Sequence, residues 1–430
     1  MSDKSVAFVR TQMLDQQPPP ASQRGIVKWV RENLFPDAFN SILTLIAIYF
    51  LYQIVTGAFP WFANGVWTTS SLAECREILD GATGACFSVL TERWNQLLFG
   101  FQYPTEQYWR PTLAFVLLAI AAAPLLFYMY VPSQLFYFTA VYPFLAYWLI
   151  WGGTIMTPIF AALGFVAAYL AFSRMEKAAG FAGALAGSVV IAFVVWFVGG
   201  MVAGAMPGFI ALEAVESRNM GGFMLNFILG TVCVSLSLPL GIVLALGRQS
   251  DMPIIKWICV TFIEFIRGVP LITLLFVANV VLAYFFPPGS NLDLILRVII
   301  MITMFSAAYI AEVIRGGLAA LPKGQYEAAD SLGLDYAQSM RLIIMPQALK
   351  ISIPGIVNVA VGLFKDTTLV SVISMFDLVG MIRGPILAST EWNGVYWELW
   401  GFAILLFFVV CYGISQYSQW LERQLATDHR

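Results

Sequence analysis

Long apolar runs dominate this chain, and its polar positions fall mostly between them. A helix rises about 1.5 Å per residue, so a hydrocarbon layer of about 30 Å is crossed by roughly 20 mostly apolar residues. Runs of that kind cover 39–59, 111–131, 181–203, 223–247, 294–316, 352–375 and 397–418. The stretch 257–286 exceeds one crossing and is interrupted by Arg267, Gly268 and Pro270, which predicts an interfacial helix followed by a span over roughly 268–286. The stretch 135–173 is about twice the length of one crossing, and Trp151, Gly152, Gly153 and Thr154 offer a turn at its middle. Two short spans there give about ten transmembrane helices in all, and a re-entrant hairpin gives eight. Either way the fold class expected is an all-α polytopic membrane protein.

Composition supports this reading. Of 430 residues, 60% are hydrophobic and only 11% charged, whereas soluble domains are about 45–50% apolar and about 25% charged. The net charge of -2, with basic residues scattered among loops, gives nucleic acid no attractive surface. The single histidine, His429, lies one residue from the C-terminus, which removes imidazole-based metal sites and internal triads, so no metal or catalytic site is expected. No GxxxxGK[ST] phosphate cradle occurs, so no nucleotide cofactor is expected in this chain.

Charge distribution orients the spans. With the N-terminus in the cytoplasm, the ten-span arrangement places inside Lys4, Arg10, Arg24, Lys28 and Arg31, the pairs Arg174/Lys177 and Arg248/Lys256, then Lys323, Arg341, Lys350, Arg423 and Arg430. Arg76, Arg93, Arg110, Arg218 and Arg383 fall outside, and the excess inside follows the positive-inside rule. Both termini are therefore expected in the cytoplasm. Five basic residues precede the first long apolar run and Pro18, Pro19 and Pro20 interrupt that segment, a layout unlike a cleavable leader. Residues 25–35 gather Ile26, Val27, Val30 and Leu34 on one helical face, which suits a surface-lying helix or a solvated linker helix. The exported loop 60–110 holds Cys75 and Cys86, which a turn could join as a disulfide in an oxidising compartment or which stand as two unpaired small apolar residues. Cys233, Cys259 and Cys411 sit in or beside apolar helices as packing residues.

The connection between the spans ending near 316 and beginning near 352 reads GGLAALPKGQYEAADSLGLDYAQSMRLIIMPQALK. Leu321-Pro322 ends one helix, Gln325 to Leu332 are good helix formers, and small Ala328 and Ala329 permit close approach of a partner surface. Gly333 allows a sharp reversal, and a second helix leads through Ile343 into Pro346. Glu327-Ala328-Ala329, Gly333, Ile343 and Pro346 resemble the EAA loop of importer-type ABC permeases, with Met345 at the position of its leucine. EFIRGVPLI at 264–272, AAYIAEVIRGGL at 307–318, LPKGQYEAADSLGL at 321–334 and KDTTLVSVI at 365–373 are similar to the polar amino-acid branch of that family, over about 200 residues from 221 onward.

The resemblance implies a transport subunit and not an enzyme, in a bacterial inner membrane. It implies an L-amino-acid substrate, separate ATP-binding subunits docked at the EAA loop, a second permease, identical or homologous, and a periplasmic amino-acid-binding protein. The layout divides into a cytoplasmic N-terminus (1–38), a transmembrane extension (39–220) and a five-helix permease core (221–430) with its coupling loop at 317–350. The full length resembles the long permease subunits of glutamate/glutamine/aspartate/asparagine importers.

Charges within spans are costly and mark candidate sites. Glu264 with Arg267 and Glu312 with Arg315, each three apart, read as self-neutralising pairs. Lys365, Asp366, Thr367 and Thr368 fall some fourteen residues into a span, where they read as the lining of a water-filled pathway or of a subunit interface. Asn226 and Asn279 read as interhelical hydrogen-bond donors, and Trp392, Trp397 and Trp400 as interface anchors. The rival function is an ion-coupled secondary amino-acid transporter with Glu312, Asp366 or Asp377 carrying a proton.

Overall fold

A computed structural model describes residues 25–206, 208, 210–281, 284 and 293–425. His429 lies outside the described residues. The chain divides into two compact units, residues 1–66 with 76–85, and residues 67–75 with 86–430.

The first unit carries α1 (Gly25–Asn33) and α2 (Ala38–Ala63). Asp37 caps α2 by accepting the Asn40 N–H at 2.8 Å, and that bond holds its carboxyl below the ordinary value. None of α2 is buried within the chain although it is predominantly apolar, the distribution expected of a helix solvated by lipid.

The second unit contains the remaining helices. Residues 67–75 and 86–110 contribute the first part of α3 (Leu72–Leu79), then α4 (Ser88–Glu92) and α5 (Trp94–Phe99). Next come α6 (Trp109–Leu126), α7 (Leu135–Trp151) and α8 (Met156–Ala205), which breaks at Gly180 (φ 68°) into two antiparallel spans. Gly164 faces Trp196, and Trp196 donates its indole N–H to the Ala161 carbonyl at 3.1 Å across that hairpin. The core follows as α9 (Gly222–Gln249), α10 (Pro253–Gly268), α11 (Leu271–Phe276) running on as a π-turn to Val281, and α12 (Leu294–Ala319). It ends with α13 (Lys323–Ser331), α14 (Tyr336–Ser339), α15 (Met345–Asp366), α16 (Leu378–Met381) and α17 (Tyr396–Leu425).

Among the described residues eight helices are long and apolar enough to cross a membrane, or nine if α10 and α11, bent by 103°, count as one broken span. The expected break near Arg267–Pro270 is that bend. In 135–173 the chain forms two helices, not one crossing. Gly152 and Gly153 turn at φ 74° and 81°, and a two-residue antiparallel pair, β1 (Gly153–Thr154) with β2 (Ala211–Leu212), braces the turn. Helix α7 has 17 residues, about 25 Å by helical rise, so the count of ten is reached only by including this short helix and the bent pair.

Two apolar clusters fill the core. One packs α9 against α11 and α12 through Leu225, Leu229, Leu275, Val298 and Ile302, and the other joins α12 to the following loop through Ile310, Ile314, Leu318, Met340, Ile344 and Ala348. Trp392 is completely buried, which corrects its assignment as an interface anchor; Trp397 is exposed as such an anchor should be. Arg110, expected in the exported loop, is also completely buried. It donates through Nε to the Leu149 carbonyl at 2.7 Å, and through one terminal nitrogen to the Glu213 carbonyl at 2.9 Å and to Gln107 at 3.3 Å. These oxygens, the Leu149 one near the end of α7, replace water for Nε and one terminal nitrogen, while the other terminal nitrogen is buried with no hydrogen-bond partner among the described residues. Hydrogen bonds from a charged group are worth about 1.5–3 kcal/mol each. Arg110→Met is therefore expected to destabilise the detergent-solubilised chain by about 3 kcal/mol or more, measured by thermal unfolding, and Arg218→Met at the exposed turn by less than about 0.5 kcal/mol.

Candidate functional site

Between α12 and α15 the chain projects as a hairpin. Pro322 precedes α13 in an extended conformation, and the far end of α13 closes through Gly333 N–H to the Asp330 carbonyl (2.9 Å) and Leu334 N–H to the Ala329 carbonyl (3.3 Å). Gly333 sits at φ 72°, where a Cβ would be strained. Asp335 and Gln338 then form a reciprocal capping box: the Asp335 carboxylate accepts the Gln338 N–H at 2.7 Å, and the Gln338 side chain accepts the Asp335 N–H. A π-turn at Met340–Ile344 carries the chain into α15, whose first turn accommodates Pro346. Gln347 donates to Gln325 at 3.0 Å and locks the two limbs together.

The two alanines of the motif face opposite ways. Glu327 and Ala328 are exposed, whereas Ala329 is completely buried inside the hairpin. The close approach that Ala329 permits is thus to its own chain, a correction to its reading as a partner contact. Leu332, Tyr336 and Leu342 are large apolar side chains left exposed on the same projection, at 73%, 62% and 64%. Sequence reasoning passed over them because an isolated apolar residue in a helical loop is ordinarily a packing residue.

The cluster at 365–368 separates. Asp366 lines a cleft of about 290 Å³ between α12 and α15 with Ser306, Tyr309, Asn358 and Gly362. Lys365 is exposed and does not line that cleft. Thr368 donates to the Lys365 carbonyl at 2.8 Å. Thr367 is completely buried and belongs to a polar node: Asn226 donates its amide to the Thr367 hydroxyl (3.0 Å) and to the Asp377 carboxylate (3.1 Å), and accepts the Leu378 N–H (3.1 Å). Thr367 as a pathway residue is thereby corrected, and Asn226 is the interhelical donor that was expected. Asn358 was missed, although Asn358, Gly362 and Asp366 recur every fourth residue and so share one helical face.

The paired charges also regroup. Glu312 receives Arg315 at 2.6 Å as expected, and in addition Arg248 at 3.3 Å and Arg267 at 3.6 Å. Glu264 pairs with Arg248 at 2.8 Å, not with Arg267. Arg267 lies 5.5 Å from the centre of the Tyr309 ring, which connects this ion network to the cleft wall. Asn279 uses its backbone carbonyl, accepting from Arg297 at 2.9 Å. Cys75 and Cys86 form a disulfide, with Cα atoms 6.1 Å apart, and Cys233, Cys259 and Cys411 are free. Among the described residues no group of acidic, histidine or cysteine side chains is arranged to hold a metal.

A helical membrane body with a capped loop hairpin and a largely apolar cleft that carries one carboxylate has the features of a solute-conducting membrane subunit. Residues 237–425 match the family described as binding-protein-dependent transport system inner membrane component. The glutamate/glutamine/aspartate/asparagine transport system permease protein BztC of Rhodobacter capsulatus is 50% identical, covering 100% of both chains. The inner membrane amino-acid ABC transporter permease protein YhdY of Escherichia coli is 37% identical over 96% of this chain and 98% of that one. A crystallised amino acid ABC transporter with histidines is 32% identical over 47% of this chain and 92% of that chain, with a TM-score of 0.42. The chain belongs to the family of binding-protein-dependent transport system inner membrane components, the permease subunits of ABC transporters.

Asp377 lies between two spans, and burial pushes its carboxyl up to about 6 against the opposing N–H donors of Gly380, Asn226 and Val379. The folded state therefore binds this proton more tightly than the unfolded state, and stability falls as pH rises from about 4 to about 6, by up to about 3 kcal/mol. The check is a thermal melt across that range: wild type is expected to lose stability relative to Asp377→Asn as pH rises, with the gap constant above about pH 6.5.

Proposed function

We propose that this chain forms one half of the translocation pathway of an ATP-driven L-amino-acid importer in a bacterial inner membrane. Its substrates are acidic amino acids and their amides, the class carried in the name of the 50%-identical relative. ATP is hydrolysed on separate subunits, and no cofactor resides in this chain. A second permease subunit, identical or homologous, completes the pathway, and an exported amino-acid-binding protein delivers the solute. The orientation that fits the basic-residue distribution keeps both termini and the 317–350 hairpin in the cytoplasm. The arrangement of the exported disulfide agrees with that orientation, because such bonds persist outside the reducing cytosol.

The observation that carries the reading is the capped hairpin rooted directly on the two helices that wall the Asp366 cleft. Ala328, Leu332 and Tyr336 present a small-and-apolar docking face to the ATPase, with the Glu327 carboxylate beside it. Ala329, Gly333, Gln347 and Pro346 make the projection stiff enough to pass displacement into α12 and α15. In the cleft, the Asp366 carboxylate offers a partner for a substrate ammonium, and Asn358 and Tyr309 offer donors for its carboxylate. Lys365 and Thr368 stand beside this wall without lining it, and an interface with the second permease is the role that fits them. Glu312 is held by three arginines, which leaves it no free side to carry a proton, and Asp377 is fixed in the polar node away from the cleft lining.

Co-purification separates the two alanines. Ala328→Asp is expected to lose the ATPase subunits while the permease keeps its melting temperature, and Ala329→Asp to lose both, because it buries an unpaired charge. Retention of the ATPase by a folded Ala328→Asp chain counts against the docking face. In proteoliposomes of the assembled complex, Asp366→Asn is expected to reduce glutamine uptake at least tenfold with basal ATPase activity preserved.

A further inference from the structure

A second cleft, of about 480 Å³, opens at the exported segment and is lined by Glu92, Arg93, Asn95, Gln96, Phe101 and Tyr108 among others. Its lining is unlike that of the first cleft, being polar, mixed in charge, and built from the extension beyond a minimal permease core. Three observations bear on its use.

The cleft is fixed to the core. Gly100 (φ 90°) lies so close to the start of α9 that a Cβ on it would stand 2.8 Å from the Gly221 Cα. Gly222 (φ 61°) likewise leaves no room for a Cβ, which would fall 2.5 Å from the Leu97 carbonyl. Gly221 donates its N–H to the Phe99 carbonyl at 3.2 Å, and Gly222 donates to the Phe376 carbonyl at 2.7 Å. Arg93 forms an ion pair with Glu391, and the Leu72 N–H bonds the Glu391 carbonyl at 2.9 Å.

The cleft is also connected to the pathway. Phe101, 46% exposed on the cleft wall, packs edge-on against Phe376 at 5.6 Å between centroids. Phe376 immediately precedes Asp377 of the polar node, and that node holds Thr367, the neighbour of Asp366. A body seated in the cleft would press on Phe101 and Phe376, which the backbone at Phe376–Asp377, the polar node and the backbone at Asp366–Thr367 connect to the solute cleft.

Finally, the cleft has unbalanced charge. Glu391 neutralises Arg93, but Glu92 on the wall and Glu106 beside lining residue Thr105 form no ion pair among the described residues. The surplus is negative, and the complement is a basic side chain.

We infer that this cleft is the socket in which the exported amino-acid-binding protein docks, by inserting a lysine or arginine from the rim of its solute-bearing face. The inference rests on the importer reading given above. Docking here places the binding protein on the extension and, through Phe101 and Phe376, in mechanical contact with the pathway. The socket would set how tightly the binding protein is held and leave the solute step unchanged.

The test uses the complete transporter in nanodiscs and the amino-acid-binding protein that stimulates the wild-type ATPase. Glu92→Lys is expected to raise the half-saturating concentration of binding protein at least tenfold and to flatten its salt dependence, with the maximal stimulated rate retained. Thr105→Trp, which fills the cleft without changing charge, is expected to raise the same concentration. If both variants stay within twofold of wild type, the socket assignment is overturned while the importer reading stands. If no amino-acid-binding protein stimulates the wild-type complex, the importer reading itself fails and the socket with it.

Discussion

The Asn226 carboxamide lies where water cannot reach it, so its N–H groups and its carbonyl must all find partners within the protein. They make three bonds to two pieces of chain far in sequence from Asn226: one to the 3-10 turn after α15, and two to the start of α16, at its Asp377 cap and its first N–H. An unsatisfied buried polar group costs about 1–3 kcal/mol, so the three attachments are kept or lost together. The core depends on this constraint, because the same turn fixes where α15 stops, and the end of α15 is where Asp366 meets the cleft. Apolar packing between α9 and α12 brings the helices together, but it is non-directional and cannot specify that register.

Directional contacts recur wherever the extension meets the core. Arg93 pairs with Glu391, and Glu398 at the start of α17 accepts the Cys86 N–H at 2.9 Å. Gly100, Gly221 and Gly222 add to these by letting backbones touch. The result is an extension built into the core by hydrogen bonds, whereas α8 meets its surroundings mostly through apolar, lipid-type surface. Such a division suits a protein in which one part must keep its geometry under load.

The spans were legible in the sequence because apolar length is nearly sufficient evidence for a crossing, and the hairpin was legible because its glycine, proline and cap residues each have a local physical meaning. The break at Arg267–Pro270 and the turn at Gly152–Gly153 were readable for the same reason. What the sequence concealed was direction. Ala328 and Ala329 are adjacent and chemically identical, yet one faces out and one faces in, and only the packing of α13 against the α15 limb decides which. Lys365, Asp366, Thr367 and Thr368 read as one polar cluster, but successive helical residues turn by about 100°, and the four side chains have four environments. Arg110 and Trp392 were misplaced because burial of a guanidinium or an indole at the membrane edge depends on acceptors and partners supplied by distant segments.

The disulfide has a topological consequence. Cys75 and Cys86 are the last and first residues of the larger unit on either side of residues 76–85, which group with the other unit. The bond therefore closes a ring at the two points where the chain departs and returns. A single peptide bond cut within 76–85 would leave the polypeptide in one covalent piece, its two segments held together by sulfur in place of backbone. The loop thus acquires redundancy: a nick there becomes a break only when the thiols are reduced.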